Sequence, residues 1–566
     1  MMKKAALTLG ITFCSFITWA QPTLEWSRQS GGLQEDRTAV IKTDQQGNVY
    51  TTGSFLGTVD FDPGSAVVER TATTSVDGDQ KFITKFDASG KFIWVKTFEV
   101  VFGNPIKIAL DVNGNLYATA NFRNSLSYPA EIGTVTIASV NLDDAFILKL
   151  NALGNFVWLK QIQGQSYQYA DDIVIDKADN LLIAGCFGQT ADFDPGDGIV
   201  PKTSGGNLDA YILSLSLDGE FQWVKTFGGI SYEAISKITT DAAGNIYAVG
   251  NFRGTTDLDP SINQYTENSI GSYDIFISKF NAVGELVWGK AIGSVEEDNA
   301  RSVVVDASGN IYTACYFQES IDVNPGIDIE TFTSAGIYDI LILKLNASGE
   351  YIWAQRSGNT LADYPLSLDI DKEGDIYLSG VFQQTISIGK DATSSLTSAG
   401  NGDGFIAKLT SNGALDWVKQ VGGTGSDYLF AALDKDGNVF CTGAFENTVN
   451  VNTLNSPVVL TSNGGRDIQL FKLNQGPILG VEERTELIKE INIFPNPAHS
   501  EVVILFPSSV QGATIDMYNL SGYLVQKVSN VSGARVVFDI SSIEAGVYIV
   551  EIYEKEIVSR LRLIKQ

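Results

Sequence analysis

From Ile235 to Lys290 the chain alternates short apolar runs with polar turns in a fixed order. Ile235–Asp241 predicts a strand, Ala242 to Gly244 a tight turn, and Asn245–Phe252 (NIYAVGNF) a second strand rich in aromatic and aliphatic residues. A long polar loop follows, then a third strand at Asp274–Phe280 (DIFISKF), a turn over Asn281 to Gly284, and a fourth strand carrying Trp288. Glycine closes such short hairpins because it accepts a positive φ. The first turn recurs as Asp44 to Gly47, Asp111 to Gly114, Asp306 to Gly309, Asp371 to Gly374 and Asp434 to Gly437. Asp176 to Asp179 lacks the glycine, which predicts a looser hairpin there.

The whole unit repeats. Tryptophans at 26, 94, 158, 223, 288, 353 and 417 are separated by 68, 64, 65, 65, 65 and 64 residues. Four strands in about 65 residues is the size of a propeller blade, whose two apolar faces are buried only by neighbouring sheets. A large residue two positions before each tryptophan shares its strand face and should pack on the next blade. Two positions after it stand Arg28, Lys96, Lys160, Lys225, Lys290 and Lys419, with Gln355 the exception; they are expected to charge an exposed outer edge. Innermost strands begin near Thr38, Ile106, Asp171, Ile235, Arg301, Leu366 and Leu429. The last unit ends at Asp467 to Leu473 without a tryptophan strand, and the chain opens with an orphan one, Leu24 to Arg28. The expectation is an all-β chain with a seven-bladed β-propeller over residues 21–474, its last blade closed by the N-terminal strand. The phrase D-x-F-I-x-K…G…W-x-K…GG…D-x-x-G-N-x-Y-x-x-G over residues 24–473 resembles the secreted β-propeller repeat known as SBBP, which implies architecture and says almost nothing of activity.

The repeat stops at a charged linker, residues 475–490. Strand candidates then follow at Glu501–Phe506, Thr514–Leu520, Tyr523–Val528, Arg535–Asp539, Gly546–Tyr553 and Ile557–Ile564, predicting a small Ig-like β-sandwich over residues 491–566. The FPNPA motif at 494–498, Tyr518 to Gly522, Ala545 to Tyr548 and the basic end Arg560 to Lys565 resemble the type A C-terminal sorting domain of the type IX secretion system. The resemblance implies export across an outer membrane, with the secretion machinery as partner.

Composition narrows the function. A net charge of −27 argues against nucleic acid or an anionic membrane surface as partner. His499 is the single histidine, which removes histidine-based triads and most zinc sites. Residues 1–20 read as a secretory signal peptide cleaved between Ala20 and Gln21, and no later stretch is apolar enough to span a bilayer. Phe13 before Cys14 is too bulky for a lipoprotein signal. Cys186, Cys315 and Cys441 fall in corresponding strands of non-adjacent repeats and are expected as buried thiols without disulfides.

Three recurrent features bear on chemistry. Asp60 to Gly64, Asp192 to Gly196, Asp257 to Pro260 and Asp322 to Gly326 place two oxygen side chains around a Pro-bearing turn. Calcium is the cation such a loop could hold, but the ligands are few and a turn held by side-chain-to-backbone bonds is the favoured reading; no cofactor is identified. An acidic residue with a nearby tyrosine precedes most inner strands: Asp36, Asp171, Glu233, Asp298, Asp363 and Asp427 are the candidate binding residues around the channel mouth. Their regular recurrence also fits a structural role between blades. The long loops, lastly, suit a recognition surface. No catalytic residue can be singled out among 66 acidic residues. The pattern favours a binding or adhesion module for carbohydrate or a surface protein. The alternative is a carbohydrate-active hydrolase or lyase at the channel mouth, whose mark would be a face residue found in one blade only, as Glu233 is.

Overall fold

The second strand of each repeat carries apolar side chains on both faces, and both faces are buried: Val49–Phe55 and Ile311–Phe317 are covered at every position. A strand of this kind needs a sheet on either side. The computed structural model describes residues 21–72, 80–101, 104–130, 133–390, 394–451, 457–475, 492–519, 524–554 and 556–566. The signal segment and nearly all of the linker lie outside the described residues. The chain divides into two units, residues 1–476 and 477–566.

In the first unit, seven four-stranded antiparallel meanders follow one another among the described residues. Their inner strands touch in sequence, and the strand at Phe430–Leu433 returns to contact Asp36–Thr43, so the ring is closed in a propeller-like, all-β architecture. The seventh meander takes its outer strand from the N-terminus: Thr23–Gly32 runs antiparallel to Val459–Asn474, with Ser27 opposite Phe471 and Ser30 opposite Ile468.

Adjacent meanders are also latched. The long loop of most repeats folds into a short hairpin that pairs with the outer strand of the preceding meander, as Gln163 with Asp192, Gly228 with Asp257 and Gly31 with Asp60. The loops expected as free recognition surface are thus built into the joints. Their Asp-x-Asp turns are held from within: Asp192 Oδ1 accepts from the amides of Asp194 at 3.1 Å and Val200 at 2.8 Å, and Asp60 repeats the pattern on Asp62 and Val68.

The tryptophan strands pack in the same way. Trp353 Nε1 donates to the Ser411 carbonyl of the next meander at 3.3 Å, while its ring meets Tyr312 edge-on. The basic residue two positions later does not charge a free edge. Arg28 Nε donates to the Gly90 carbonyl at 2.9 Å, Lys160 Nζ to that of Gly219 at 2.7 Å, and Lys419 is buried. The turn of the next meander lies over these positions and supplies carbonyls that a cation satisfies. The third meander is no looser than the rest: Asp179 adopts the left-handed conformation (φ 59°) itself, and Asp176 Oδ1 still accepts from Ala178 and Asn180, each at 2.8 Å.

Cys186, Cys315 and Cys441 are buried on second strands, and burial pushes their thiols up. In the C-terminal unit the six strand candidates merge into fewer, longer strands. Glu501–Asn519 pairs along its length with Leu524–Asp539 and at its C-terminal half with Gly546–Glu554, which in turn pairs with Glu556–Lys565. Ile504, Ile515, Met517, Phe538 and Val550 form its core. The 494–498 motif docks on the chain end, where Asn496 Oδ1 accepts the Ile564 amide at 2.8 Å.

Candidate functional site: the channel and its tyrosine collar

The antiparallel meander brings the start of each inner strand, the end of each second strand and the start of each third strand to one end of the ring. Five of the six predicted carboxylates sit at this end but within its wall. Asp36, Glu233, Asp298, Asp363 and Asp427 have no exposed surface. Each accepts the amide four residues earlier, at the joint from the preceding meander: Gly32 at 2.7 Å, Gly229 at 3.0 Å, Asn359 at 2.9 Å and Gly423 at 2.7 Å, with Ser294 in the same role. A second buried carboxylate from the third strand faces each: Asp467, Asp209, Asp274, Asp339 and Asp403. Burial is the first cause, and the neighbouring carboxylate a further one, that raises Asp36, Asp298 and Asp427 to about 7, Asp363 to about 6 and Glu233 to about 8. These groups brace joints and offer no surface to a ligand.

Asp171 is different. The residue of its meander that occupies the joint is Gln168, which lies opposite Phe187 as Asp36 lies opposite Phe55. A one-residue bulge in the inner strand, between Ala170 and Asp172, sets Asp171 apart from that register. Asp171 accepts from Asn104 Nδ2 at 2.9 Å, and burial raises it to about 6. The same bulge recurs at Ala39, Ser236, Arg301 and Leu366, all of which line a cavity of about 220 Å³ inside the ring.

Around the entrance stands a collar of aromatic side chains. Tyr167 and Tyr169 stack at 5.6 Å, Tyr232 meets Tyr273 edge-on at 5.2 Å, and Tyr316, Tyr338 and Tyr364 form a cluster with centroids 4.9–5.5 Å apart. The Arg301 guanidinium lies 5.1 Å from the Tyr316 ring centroid and also lines the cavity. The sequence pattern of an acidic residue with a nearby tyrosine covers Tyr169, Tyr232, Tyr364 and Tyr428, but not Tyr167, Tyr273, Tyr316, Tyr338 or Arg301. A signal was present: the residue before the third-strand aspartate changes from Leu208 to Tyr273, Tyr338 and Gly402 while its surroundings repeat. Arg301 breaks the repeat at a position held by Ser236 and Leu366 in the flanking meanders.

The described residues contain no group of three His, Cys, Asp or Glu side chains placed to hold one metal ion, and no helix long and apolar enough to cross a membrane. Residues 492–566 match the family described as the secretion system C-terminal sorting domain. Over 508 residues the chain is 22% identical to an uncharacterized WD repeat-containing protein of Acanthamoeba polyphaga mimivirus, covering 76% of this chain and 36% of that protein. It thus spans little more than a third of that relative's length. Among solved structures it is similar to a europium-containing methanol dehydrogenase (11% identity, 80% of this chain and 93% of that one, TM-score 0.33). It is also similar to Sqt1 from Chaetomium thermophilum (8% identity, 75% and 97%, TM-score 0.37). The sorting domain marks the chain for export through the type IX secretion system to the cell surface or extracellular space.

Proposed function

We propose that this exported chain is a seven-bladed, SBBP-type β-propeller acting as a carbohydrate-binding module at the cell surface, carried there by an Ig-like sorting domain. The closed sequence of inner strands supports the blade count. The observation that carries the binding role is the collar: clustered tyrosines offer flat apolar faces with polar tips, which suits the faces and hydroxyls of sugar rings. Catalysis by the mouth carboxylates is disfavoured, because five of them are buried inside the wall and each accepts a joint amide there.

A glycan array probed with the purified exported protein tests the reading, followed by calorimetry on the best glycan. Tyr338→Ala and Tyr364→Ala should each weaken binding about fivefold or more, given roughly 1–3 kcal/mol for an aromatic contact, with the unfolding midpoint little changed. Unaltered affinity in both variants would remove the collar from consideration.

A further inference from the structure

In a chain with 66 acidic and 39 basic residues, the channel is where cations gather. Lys42, Lys107, Lys237 and Arg301 all line the cavity of about 220 Å³, together with Ser236 and Thr239. We propose that this channel is an anion-binding site that receives the carboxylate or sulfate group of an acidic glycan whose sugar rings rest on the tyrosine collar. The inference rests on the collar reading for the glycan, and on the channel alone for the anion.

Charge balance inside the ring supports it. Three carboxylates face the cations, and each is held by the wall. Asp172 accepts from Lys237 Nζ at 2.7 Å and from the Ile238 amide at 2.9 Å. Asp369 accepts from the amides of Leu433 and Ile370, each at 2.9 Å, and Asp171 from Asn104. Lys237 is therefore satisfied, whereas Lys42 and Lys107 have neither a hydrogen bond nor an ion pair among the described residues. Lys107 is half-buried on the channel wall and Lys42 is exposed to the channel; desolvation inside the ring, with the charge of Lys237 beside it, pushes both ammonium groups below their ordinary value. Arg301 adds further repulsion at Lys107, while Asp369 and Asp172 act in the opposite sense on Lys42, and Asp172 and Asp171 on Lys107.

An unpaired ammonium in a confined channel lacks part of its hydration, and an entering anion restores what is missing. Arg301 joins the two parts of the site, one face on Tyr316 and the other toward the cavity. The volume corresponds to about seven waters, enough for one anionic group and its residual hydration. Because the anion favours the charged lysines, binding takes up protons and weakens as pH rises. Asp171, itself raised to about 6, weakens anion binding in the same direction as it ionises.

The test titrates the exported protein with sodium sulfate at constant ionic strength, by calorimetry in two buffers of different ionisation enthalpy. Saturable binding with proton uptake is expected, weakened at least tenfold by Lys107→Met and by Arg301→Gln but untouched by Tyr338→Ala. Uronate-bearing, sulfated and neutral glycans then separate the source of the anion, and the two acidic classes should bind more tightly than the neutral one. Sulfate binding undiminished in both channel variants, or no saturable sulfate binding with equal affinity for neutral and acidic glycans, overturns the proposal. Glycan binding lost in Tyr338→Ala without any sulfate binding retains the collar and rejects the anion site. Sulfate binding without any glycan binding does the reverse.

Discussion

At single positions, the repeat is constrained most by backbone approaching a carboxylate. A side chain at Gly293 would place its Cβ 2.1 Å from the carboxyl carbon of Asp274, and Gly358 and Gly422 stand in the same relation to Asp339 and Asp403. The recurrent glycine after the tryptophan strand is therefore a vacancy for the third-strand aspartate of its own meander. Gly293→Ala should destabilise the ring by about 1–3 kcal/mol, as overpacking of a closed site does, read from the urea midpoint. A midpoint within error of the parent would mean that the joint yields freely. The turns were legible at this scale, since Asp and Gly at fixed spacing have one local solution. The role of the mouth carboxylates was not: a strand-initial aspartate looks the same in sequence whether it faces a ligand or its neighbour's amide.

Among elements, the strands and their order were legible because buried strands bounded by turns repeat with a constant period. The hairpin hidden in most of the long loops was missed, because its strands of about three residues carry no alternation long enough to register. The bulge in the inner strand was missed for a related reason: one extra residue leaves no compositional mark, and Asp171 stands at that bulge while Gln168 takes the joint of its meander. The closing strand makes a prediction of its own. Removing residues 23–32 strips Val459–Asn474 of its outer partner and leaves open backbone donors and acceptors. That variant should lose its single sharp unfolding transition and aggregate on size-exclusion chromatography; a monomer with the parental midpoint would show that closure contributes little.

Across the whole molecule, five joints carry raised carboxyls, at about 6 to about 8. A carboxyl raised on folding lends full stability below its unfolded pKa of about 4 and loses it as pH climbs through the folded value. Stability should accordingly fall between about pH 4 and pH 8, and thermal unfolding across that range is the measurement; a rising midpoint would contradict it. Glu233→Gln should flatten the dependence. Against the pull of its burial, Asp241 is held below the usual range by hydrogen bonds from Asn245 and Tyr247, and it works in the opposite sense only in more acid solution. Export belongs to the same scale: deleting residues 491–566 should retain the protein in the periplasm, seen by fractionation, and normal secretion would deny the sorting domain its role. The sequence by itself determined strand, turn and repeat, and the sorting segment, because these depend on residues close along the chain. Only the closed ring decided that the repeated carboxylates brace joints, that the long loops latch neighbours, and that lysines from distant repeats meet in one channel. Those outcomes depend on distances between meanders, which no single repeat encodes.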